Sequence, residues 1–245
     1  MNGGQARTDG ADYTSVDLET TGLYPKYDRI IEIGAVRVRN GRPAAQYSSL
    51  VNPGRKLSEC TKQLTGITDE QLEGAPGIEE VLPGFLEFVG KDVLLGHSLL
   101  FDFSFLKRAA VNCGFTFEAL GVDTLKLARK FLPELESRNL GFLCKHFGIT
   151  HTAHRALGDA QAASRLYEIL RASYYNEADF EPKPLIYKVK RESPASKAQK
   201  ERIYRLAALH HVELAVDVEK LTRSEASRLA DRILQKRGDS YIISI

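Results

Sequence analysis

The stretch Val16-Asp17-Leu18-Glu19-Thr20-Thr21-Gly22 overlaps a run from Tyr13 to Leu18 that is typical of a β-strand. Side chains alternate between the two faces of a strand, so a spacing of two directs the Asp17 and Glu19 carboxylates to the same side. Two ionised carboxylates at the end of a buried strand repel each other and lose hydration, which favours a cation between them. Oxygen ligands suit Mg²⁺ or Mn²⁺. An isolated Asp-x-Glu is more often one solvated acid and one acid that caps the following turn.

The composition is that of an ordinary globular protein. With 245 residues, 43% of them hydrophobic, the chain can form one large domain and a small one. Its net charge of +2 neither implies nor excludes a nucleic-acid partner, but Lys183 to Arg205 holds 8 Lys or Arg against 2 Glu. The three widely separated cysteines indicate reduced thiols in a reducing compartment. No apolar run approaches the roughly 18 residues of a membrane span, so we expect a cytoplasmic protein with no membrane partner.

The order of the predicted elements indicates an α/β fold. Three strands at Tyr13–Leu18, Arg29–Arg39 and Ala45–Val51 form a meander, with Asn40-Gly41 as a hairpin turn. Two further strands are predicted at Val93–His97 and, as the last strand, at Gly121–Thr124. Ser98 is predicted to cap the helix that follows it. The predicted helices are Ser58–Leu64, Thr68–Glu73, Val81–Val89, Leu99–Asn112, Asp123–Phe131, Asn139–Phe147 and Leu157–Tyr174. This order predicts a mixed central sheet with helices on both faces.

The chain divides into four predicted segments. Residues 1–10 are expected to be a disordered lead-in, and residues 11–176 form the large domain. Residues 177–196 contain three prolines and a basic cluster, as a linker or extended connection would. Residues 197–245 form a small helical C-terminal module, in which Thr222-Arg223-Ser224-Glu225 is a capping box and Tyr241–Ile245 an apolar tail. The module is too small to bury much apolar surface alone, so we expect it to dock on the large domain or on a partner.

Two further acids occupy informative positions. Asp102 lies one turn into the helix after a wholly apolar strand, flanked by phenylalanines; as a plain helix-dipole partner it would contribute about 0.3–1 kcal/mol. Asp159 lies in a helix with four small residues, Gly158, Ala160, Ala162 and Ala163. These residues let the helix approach the sheet closely, so that Asp159 can face Asp17. His154, five residues earlier, can reach over the same site, although a lone histidine is more often structural or exposed.

These residues resemble three motifs of a known family. Asp17-Leu18-Glu19-Thr20-Thr21-Gly22, His97-Ser98-Leu99-Leu100-Phe101-Asp102 and the His154…Asp159 segment, in this order, look like the motifs of the DEDDh 3′→5′ exonucleases. The family includes the proofreading epsilon subunit of bacterial DNA polymerase III and the exonuclease domain of PolC. The resemblance covers about Asp12 to Leu170 and implies an RNase H-like fold. Ser98 stands where the family usually has Asn, which predicts a weaker or water-mediated hydrogen bond there.

The resemblance implies a function and a cofactor. The protein would be a metal-dependent exonuclease that hydrolyses phosphodiester bonds from the 3′ end of DNA, in proofreading or repair, and releases nucleoside 5′-monophosphates. Two divalent cations, Mg²⁺ or Mn²⁺, would be held by four acids: Asp17, Glu19, Asp102 and Asp159. His154 would be the general base that takes a proton from the attacking water.

The resemblance also implies contacts to the substrate. The turn from Thr20 to Leu23 would hold the 3′-terminal nucleotide, with the Leu23 side chain against its base. His97 and Phe101 would line the same pocket. Leu23 is equally compatible with an ordinary core position.

Other functions stay open from the sequence. A non-catalytic nucleic-acid-binding or replisome-tethering module could keep the same fold, although no motif acid is missing. An RNA substrate is an alternative to DNA, because recognition of the 2′-hydroxyl depends on pocket shape. Residues 177–245 could contact a phosphate backbone or bind a polymerase or another replication or repair protein, whereas a charged run is often only a solvated face. The sequence does not distinguish proofreading from free-standing repair, nor does it give the oligomeric state.

Overall fold

The structure, a computed structural model, describes residues 11–150, 152–235 and 241–243. The predicted lead-in of residues 1–10 and the last two residues of the predicted apolar tail, Ser244 and Ile245, lie outside the described residues. The strands are β1 (Tyr13–Thr20), β2 (Ile30–Arg39), β3 (Arg42–Leu50), β4 (Leu94–Gly96), β5 (Leu120–Asp123), β6 (Lys183–Pro184), β7 (Val212–Leu214) and β8 (Tyr241–Ile243). The helices are α1 (Glu59–Thr65), α2 (Asp69–Glu73), α3 (Ile78–Val89), α4 (Leu99–Cys113), α5 (Thr124–Phe131), α6 (Leu140–Phe147), α7 (Ala156–Tyr174), α8 (Glu177–Phe180), α9 (Lys197–Leu209) and α10 (Arg223–Gln235).

The main sheet is six-stranded and mixed, in the order β3-β2-β1-β4-β5-β6. The strands β1, β2 and β3 pair antiparallel, whereas β4 pairs parallel to both β1 and β5. The strand β1 therefore lies inside the sheet, with β2 on one side and β4 on the other. This arrangement confirms the predicted mixed sheet and its opening meander.

The β2–β3 connection is a two-residue hairpin at Asn40-Gly41. Both residues have positive φ, 50° and 70°, which is typical of a type I′ turn. Pairing resumes at once after this turn, with Arg39 opposite Arg42. The strand β3 therefore begins at Arg42 and not at the predicted Ala45.

Helices cover both faces of the sheet, as predicted. The side chains of Val16 and Leu18 join α3 and α4 in one apolar cluster, whereas Tyr13 joins α5 and α7 in another. Because side chains alternate along β1, Asp17 and Glu19 lie on the face that α7 covers. The helix α7 makes many contacts with both β1 and β2.

Residues 177–185 pack on the large domain. The residues Lys183 and Pro184 pair antiparallel with β5, so the prediction that β5 is the last strand of the domain was wrong. A two-residue strand with a proline has no periodicity to detect, and its pairing depends on a distant partner. The short helix α8 packs Phe180 into the α5–α7 cluster. The predicted segment boundaries themselves stay a prediction.

The C-terminal module has its own apolar cluster, which includes Ile203, Val218, Leu229 and Ile233. The predicted capping box is confirmed, since the Glu225 N–H donates to Thr222 Oγ1 (3.3 Å) and the Thr222 N–H donates to Glu225 Oε2 (3.0 Å). The module contacts the large domain through Glu225. Among the described helices, none has the length and apolar character needed to cross a membrane.

Candidate active site

Three of the predicted acids converge at the end of β1. Oxygen atoms of Asp17, Glu19 and Asp159 all lie within 4.8 Å of one another. Asp17 and Glu19 come from β1, and Asp159 comes from the first turn of α7. The short distances require α7 to approach the sheet closely, as its small residues predicted.

One glycine and one hydroxyl make this approach possible, and a second glycine lets the preceding loop pack against α7. A Cβ on Gly34 would lie 2.1 Å from the backbone nitrogen of Leu157, so only glycine fits there. A Cβ on Gly158 would lie 2.6 Å from the carbonyl oxygen of Thr152. On β1, Ser15 Oγ donates to the carbonyl oxygen of Ala160 (2.7 Å). These contacts fix the start of α7 against β1 and β2.

An ion pair between a buried glutamate and a half-exposed arginine, which the sequence analysis missed, holds the same helix terminus. Glu32 on β2 is 1% exposed, and its carboxylate accepts hydrogen bonds from Arg155 Nη2 (2.9 Å) and Nε (3.2 Å). Its Oε2 also accepts the N–H of Ala156 (3.0 Å), the first residue of α7. Glu32 lies directly opposite Glu19 in the β1–β2 register. The sequence signal for this ion pair was Glu32 itself, a single acid within the apolar run Ile30–Ala35, because a buried charge needs a partner.

Asp102 approaches the cluster from α4. It is 3% exposed, and its Oδ1 accepts the backbone N–H of Leu18 (3.1 Å), which lies between the two β1 acids in sequence. Burial raises the pKa of Asp102 well above its usual range, against the hydrogen bonds that it accepts. The four predicted acids therefore lie around the end of β1.

The electrostatics of the cluster favour a bound cation. Burial, followed by repulsion from Asp102, Asp159 and Glu19, raises the pKa of Asp17 well above its usual range. Burial, followed by Asp159 and Glu32, raises the pKa of Glu19 to about 7, although Arg155 opposes the shift. Carboxylates that repel one another in a buried site are relieved by a cation between them. The all-oxygen donor set fits a hard divalent cation.

His154 lies at the edge of the cluster, in the turn before α7. The side chain is exposed, and the backbone has a positive φ of 59°, a conformation in which His is enriched. The next residue, Arg155, donates its N–H to Asp159 Oδ2 (3.2 Å). The turn that carries His154 is thus tied both to Asp159 and, through the Arg155 side chain, to Glu32.

The turn after β1 is exposed where the sequence predicted a nucleotide contact. Leu23 is 73% exposed, so the alternative that it is a core residue was wrong. Thr20 Oγ1 donates to the carbonyl oxygen of Gly22 (2.7 Å), which orders the start of the turn. Tyr24, which the sequence analysis did not single out, is 66% exposed beside Leu23.

His97 and Phe101 lie further along the sheet edge. His97 Nε2 is 2.8 Å from the carbonyl oxygen of Arg138, and Nδ1 is 2.9 Å from Thr124 Oγ1. Burial lowers the pKa of His97, and Nε2 is the donor to Arg138, because a carbonyl oxygen can only accept. The Phe101 ring packs on Phe105, with 5.0 Å between ring centroids. Their role as pocket walls stays a prediction.

Ser98 has a different role from the one predicted. In the described structure its side chain makes no capping hydrogen bond to α4, so the predicted cap was wrong. The backbone is left-handed, with φ 72°, and its N–H donates to Asp123 Oδ1 (3.0 Å). Asn tolerates this conformation better than Ser does, so Ser98 adopts a backbone conformation that is unfavourable for its residue type.

The comparisons with known proteins agree with this geometry. The family model of the RNase_T exonucleases matches residues 14–167. The DNA polymerase III PolC-type of Clostridium perfringens (strain 13 / Type A) is 40% identical over 164 residues, which are 66% of this chain and 11% of the relative. The PolC-type polymerase of Oceanobacillus iheyensis is 42% identical over 152 residues, 61% of this chain and again 11% of the relative. The chain thus spans about a tenth of the length of these relatives.

Two solved structures share the fold. Exonuclease X, in complex with 5′ overhanging duplex DNA, superposes with a TM-score of 0.56 at 25% identity, over 69% of this chain and 96% of that one. The zinc-bound complex of E. coli exonuclease I with single-stranded DNA superposes with a TM-score of 0.61 at 19% identity, over 67% of this chain and 41% of that one. Together with a family match over more than half of the sequence, these findings show that the chain belongs to the RNase_T exonuclease family.

Proposed function

We propose that the protein is a metal-dependent 3′→5′ exonuclease that hydrolyses phosphodiester bonds at the 3′ end of DNA and releases nucleoside 5′-monophosphates. The observation that carries the proposal is the convergence of the Asp17, Glu19 and Asp159 oxygens within 4.8 Å in a buried, charge-strained site. Exonuclease X is solved in complex with duplex DNA, and the PolC-type relatives are named as DNA polymerases, which supports DNA over RNA.

Four acids hold two divalent cations, Mg²⁺ or Mn²⁺, in this proposal: Asp17, Glu19, Asp102 and Asp159. When bound, such cations stabilise the charge on the attacking and leaving oxygens of an in-line displacement. The protein's own part is to bring the carboxylates together and to orient them. The Leu18 N–H orients Asp102, and the Arg155 N–H orients Asp159.

His154 is the general base in this proposal. Its exposed ring can accept a proton from the attacking water at a ring nitrogen and pass it to solvent. The Glu32–Arg155 ion pair fixes the backbone from which the ring projects. The turn from Thr20 to Leu23 holds the 3′-terminal nucleotide, with the exposed Leu23 side chain against its base.

The deciding experiment is the degradation of 3′-labelled single-stranded DNA, and of an RNA of the same sequence, with Mg²⁺ or Mn²⁺. We compare the wild-type protein with the double variant Asp17→Asn/Glu19→Gln and with a control at two exposed acids of the module, Glu213→Gln/Asp231→Asn. Metal-dependent release of 5′-monophosphates by the wild type and the control, but not by the double variant, is the expected result. Binding without shortening of either strand would replace the enzyme by a non-catalytic binding module.

The role of His154 needs a separate test. The variant His154→Ala should lower kcat by about 10²–10⁴-fold, as expected for loss of a general base. The metal affinity, measured by calorimetry, should change much less, because no carboxylate is removed. A His154→Ala enzyme as active as wild type would discard the assignment.

The C-terminal segment 177–245 supports a weaker proposal for a partner. The PolC-type relatives are polymerases, and this segment lies beyond the residues of the family match. A polymerase or another replication or repair protein is therefore the partner to test by co-purification with the full chain. Deletion of 177–245 that leaves such binding intact would exclude the segment as the docking site.

A further inference from the structure

The β1–β2 loop, residues 21–29, leads directly away from the acidic cluster. The loop is closed at its base, because the Thr21 N–H donates to the carbonyl oxygen of Arg29 (2.8 Å) and the Arg29 N–H donates to Thr21 Oγ1 (3.0 Å). Inside it, Asp28 Oδ2 accepts the N–H of Tyr24 (2.8 Å). Two apolar side chains at its tip, Leu23 and Tyr24, remain 73% and 66% exposed. The loop is therefore a small ordered platform beside the acids.

One carboxylate of the C-terminal module contacts the base of this loop. Glu225, in the first turn of α10, is 2% exposed and forms ion pairs with Arg29 and with Arg55. Arg55 in turn donates from Nη1 to the carbonyl oxygen of Tyr27 (3.0 Å) inside the loop. The backbone of Arg55 also forms a β-bridge with Val216 of the module. The module is thus linked to the second half of the loop at Arg29 directly and at Tyr27 through Arg55.

A second side chain of α10 covers the loop. The guanidinium of Arg228 lies over the Tyr27 ring, 4.5 Å from its centroid, in a cation–π contact. Arg228 follows Glu225 by three residues, so both project from the same face of the helix. This face of α10 packs against the loop at Tyr27 and Arg29 and leaves the side chains of Leu23 and Tyr24 exposed.

The charges of Glu225, Arg29 and Arg55 make the contact between the module and the loop specific. Arg29 and Arg55 are like charges, and the Arg55 side chain is only 8% exposed. Burial, then Arg29, lowers the pKa of Arg55, and Glu225 opposes the shift. Removal of the Glu225 charge would leave two neighbouring cations without their common carboxylate partner, which is costly for a buried pair. The position of the β1–β2 loop therefore depends on how the C-terminal module packs against it.

We propose that the C-terminal module is part of the substrate site: Glu225 and Arg228 hold the β1–β2 loop in the position from which Leu23 and Tyr24 contact the 3′-terminal nucleotide. The nature of that ligand rests on the proposed exonuclease function. The module then acts through the loop, and Glu225 and Arg228 are positioning residues. They contact no reacting atom.

The test uses variants of the full chain. Glu225→Gln removes the charge but keeps a capping-box residue at the third position of α10, so the helix start is preserved. Arg228→Gln removes the cation–π contact without touching the capping box, and it serves as the second variant if Glu225→Gln folds poorly. The matched control is Glu201→Gln, an exposed acid on α9.

Two readouts are measured. The sequence contains no tryptophan, so Tyr24→Trp gives a single fluorescent reporter at the loop tip. We expect Glu225→Gln and Arg228→Gln to lower the fluorescence anisotropy of this reporter. In chains without the reporter, both variants should raise KM for 3′-labelled single-stranded DNA about fivefold or more, with little change in kcat. The control should change neither quantity.

The outcomes separate the two proposals. Anisotropy and KM unchanged in both variants would overturn the inference, and so would a mobile loop with unchanged KM. If the unmodified chain degrades no DNA, the exonuclease proposal fails. The dissociation constant for the same 3′-labelled DNA then replaces KM, and a value that the variants leave unchanged would overturn the inference.

Discussion

The substitution Gly34→Ala tests whether close approach of α7 to the sheet creates the site. Gly34 is the direct partner of Asp17 in the β1–β2 register. A Cβ at this position would lie 2.1 Å from the backbone nitrogen of Leu157 and 2.2 Å from the backbone carbon of Ala156. These atoms belong to the first turn of α7 and cannot rotate away as a side chain could.

The structure gives the size of the expected effect. Ordinary contacts begin at about 3.5 Å, so the start of α7 must withdraw by more than about 1 Å. Because Asp159 and the His154 turn move with the helix, a displacement of about 1 Å should lower kcat about 100-fold. This loss corresponds to about 2.7 kcal/mol of transition-state stabilisation. Overpacking should also lower the free energy of unfolding by about 1–3 kcal/mol or more.

The assay compares initial rates on 3′-labelled single-stranded DNA and urea unfolding of the same preparations. The control is Gly141→Ala in α6, where a Cβ would lie 3.8 Å from Asn139 Oδ1. It should keep full activity and be as stable as wild type or slightly more so, since Ala is the better helix former. A folded Gly34→Ala protein within threefold of the wild-type rate would refute the reasoning, because Asp159 would then reach its place without the close approach.

Three further predictions follow from single contacts. Glu32→Gln should lower the free energy of unfolding by about 1.5–3 kcal/mol and reduce kcat, because Arg155 loses its charged acceptor; an unchanged kcat would show that the ion pair does not position the site. Ser98→Gly should raise the free energy of unfolding by about 0.5–1 kcal/mol in urea titrations, because φ is 72° at this residue; a loss of stability would contradict the assigned backbone strain. In chelator, the contribution of Glu19 to stability should fall as the pH rises from about 4.5 to about 7, by at most about 3 kcal/mol, because burial, then Asp159, raises the pKa of Glu19 to about 7 and the folded state keeps a proton that the unfolded chain releases. Urea unfolding of Glu19→Gln should show a shallower slope in that range, and an equal slope would assign the effect to other groups.

Local pattern was enough to predict the framework of the site. The alternation in Tyr13–Leu18 and the spacing of Asp17 and Glu19 fixed the face of β1, because both depend only on strand geometry. The small residues around Asp159 indicated the close packing of α7, and Ala160, Ala162 and Ala163 are indeed buried. The Asn40-Gly41 turn predicted the hairpin for the same local reason.

Contacts between distant segments could not be predicted from the local sequence pattern. Glu32 and Gly34 gain their importance from α7, which lies more than a hundred residues later in the chain. The signals were present, since a charge and a glycine interrupt the apolar run of β2. Their meaning, however, depends on the β1–β2 register and on which helix covers that face. The strand β6 and the left-handed Ser98 were missed because neither has a periodic pattern.

Three acids at the site each accept a hydrogen bond from the main chain. Asp102 accepts the N–H of Leu18, Asp159 accepts the N–H of Arg155, and Glu32 accepts the N–H of Ala156. Only proline would remove a backbone donor, so other changes in the side chains of Leu18 or Ala156 should affect the acids little if volume is kept. A shift of the backbone moves all of these donors together. The site is therefore expected to tolerate side-chain changes that keep the acids and the Glu32–Arg155 ion pair, and to be lost when β1, β2 and the start of α7 move apart.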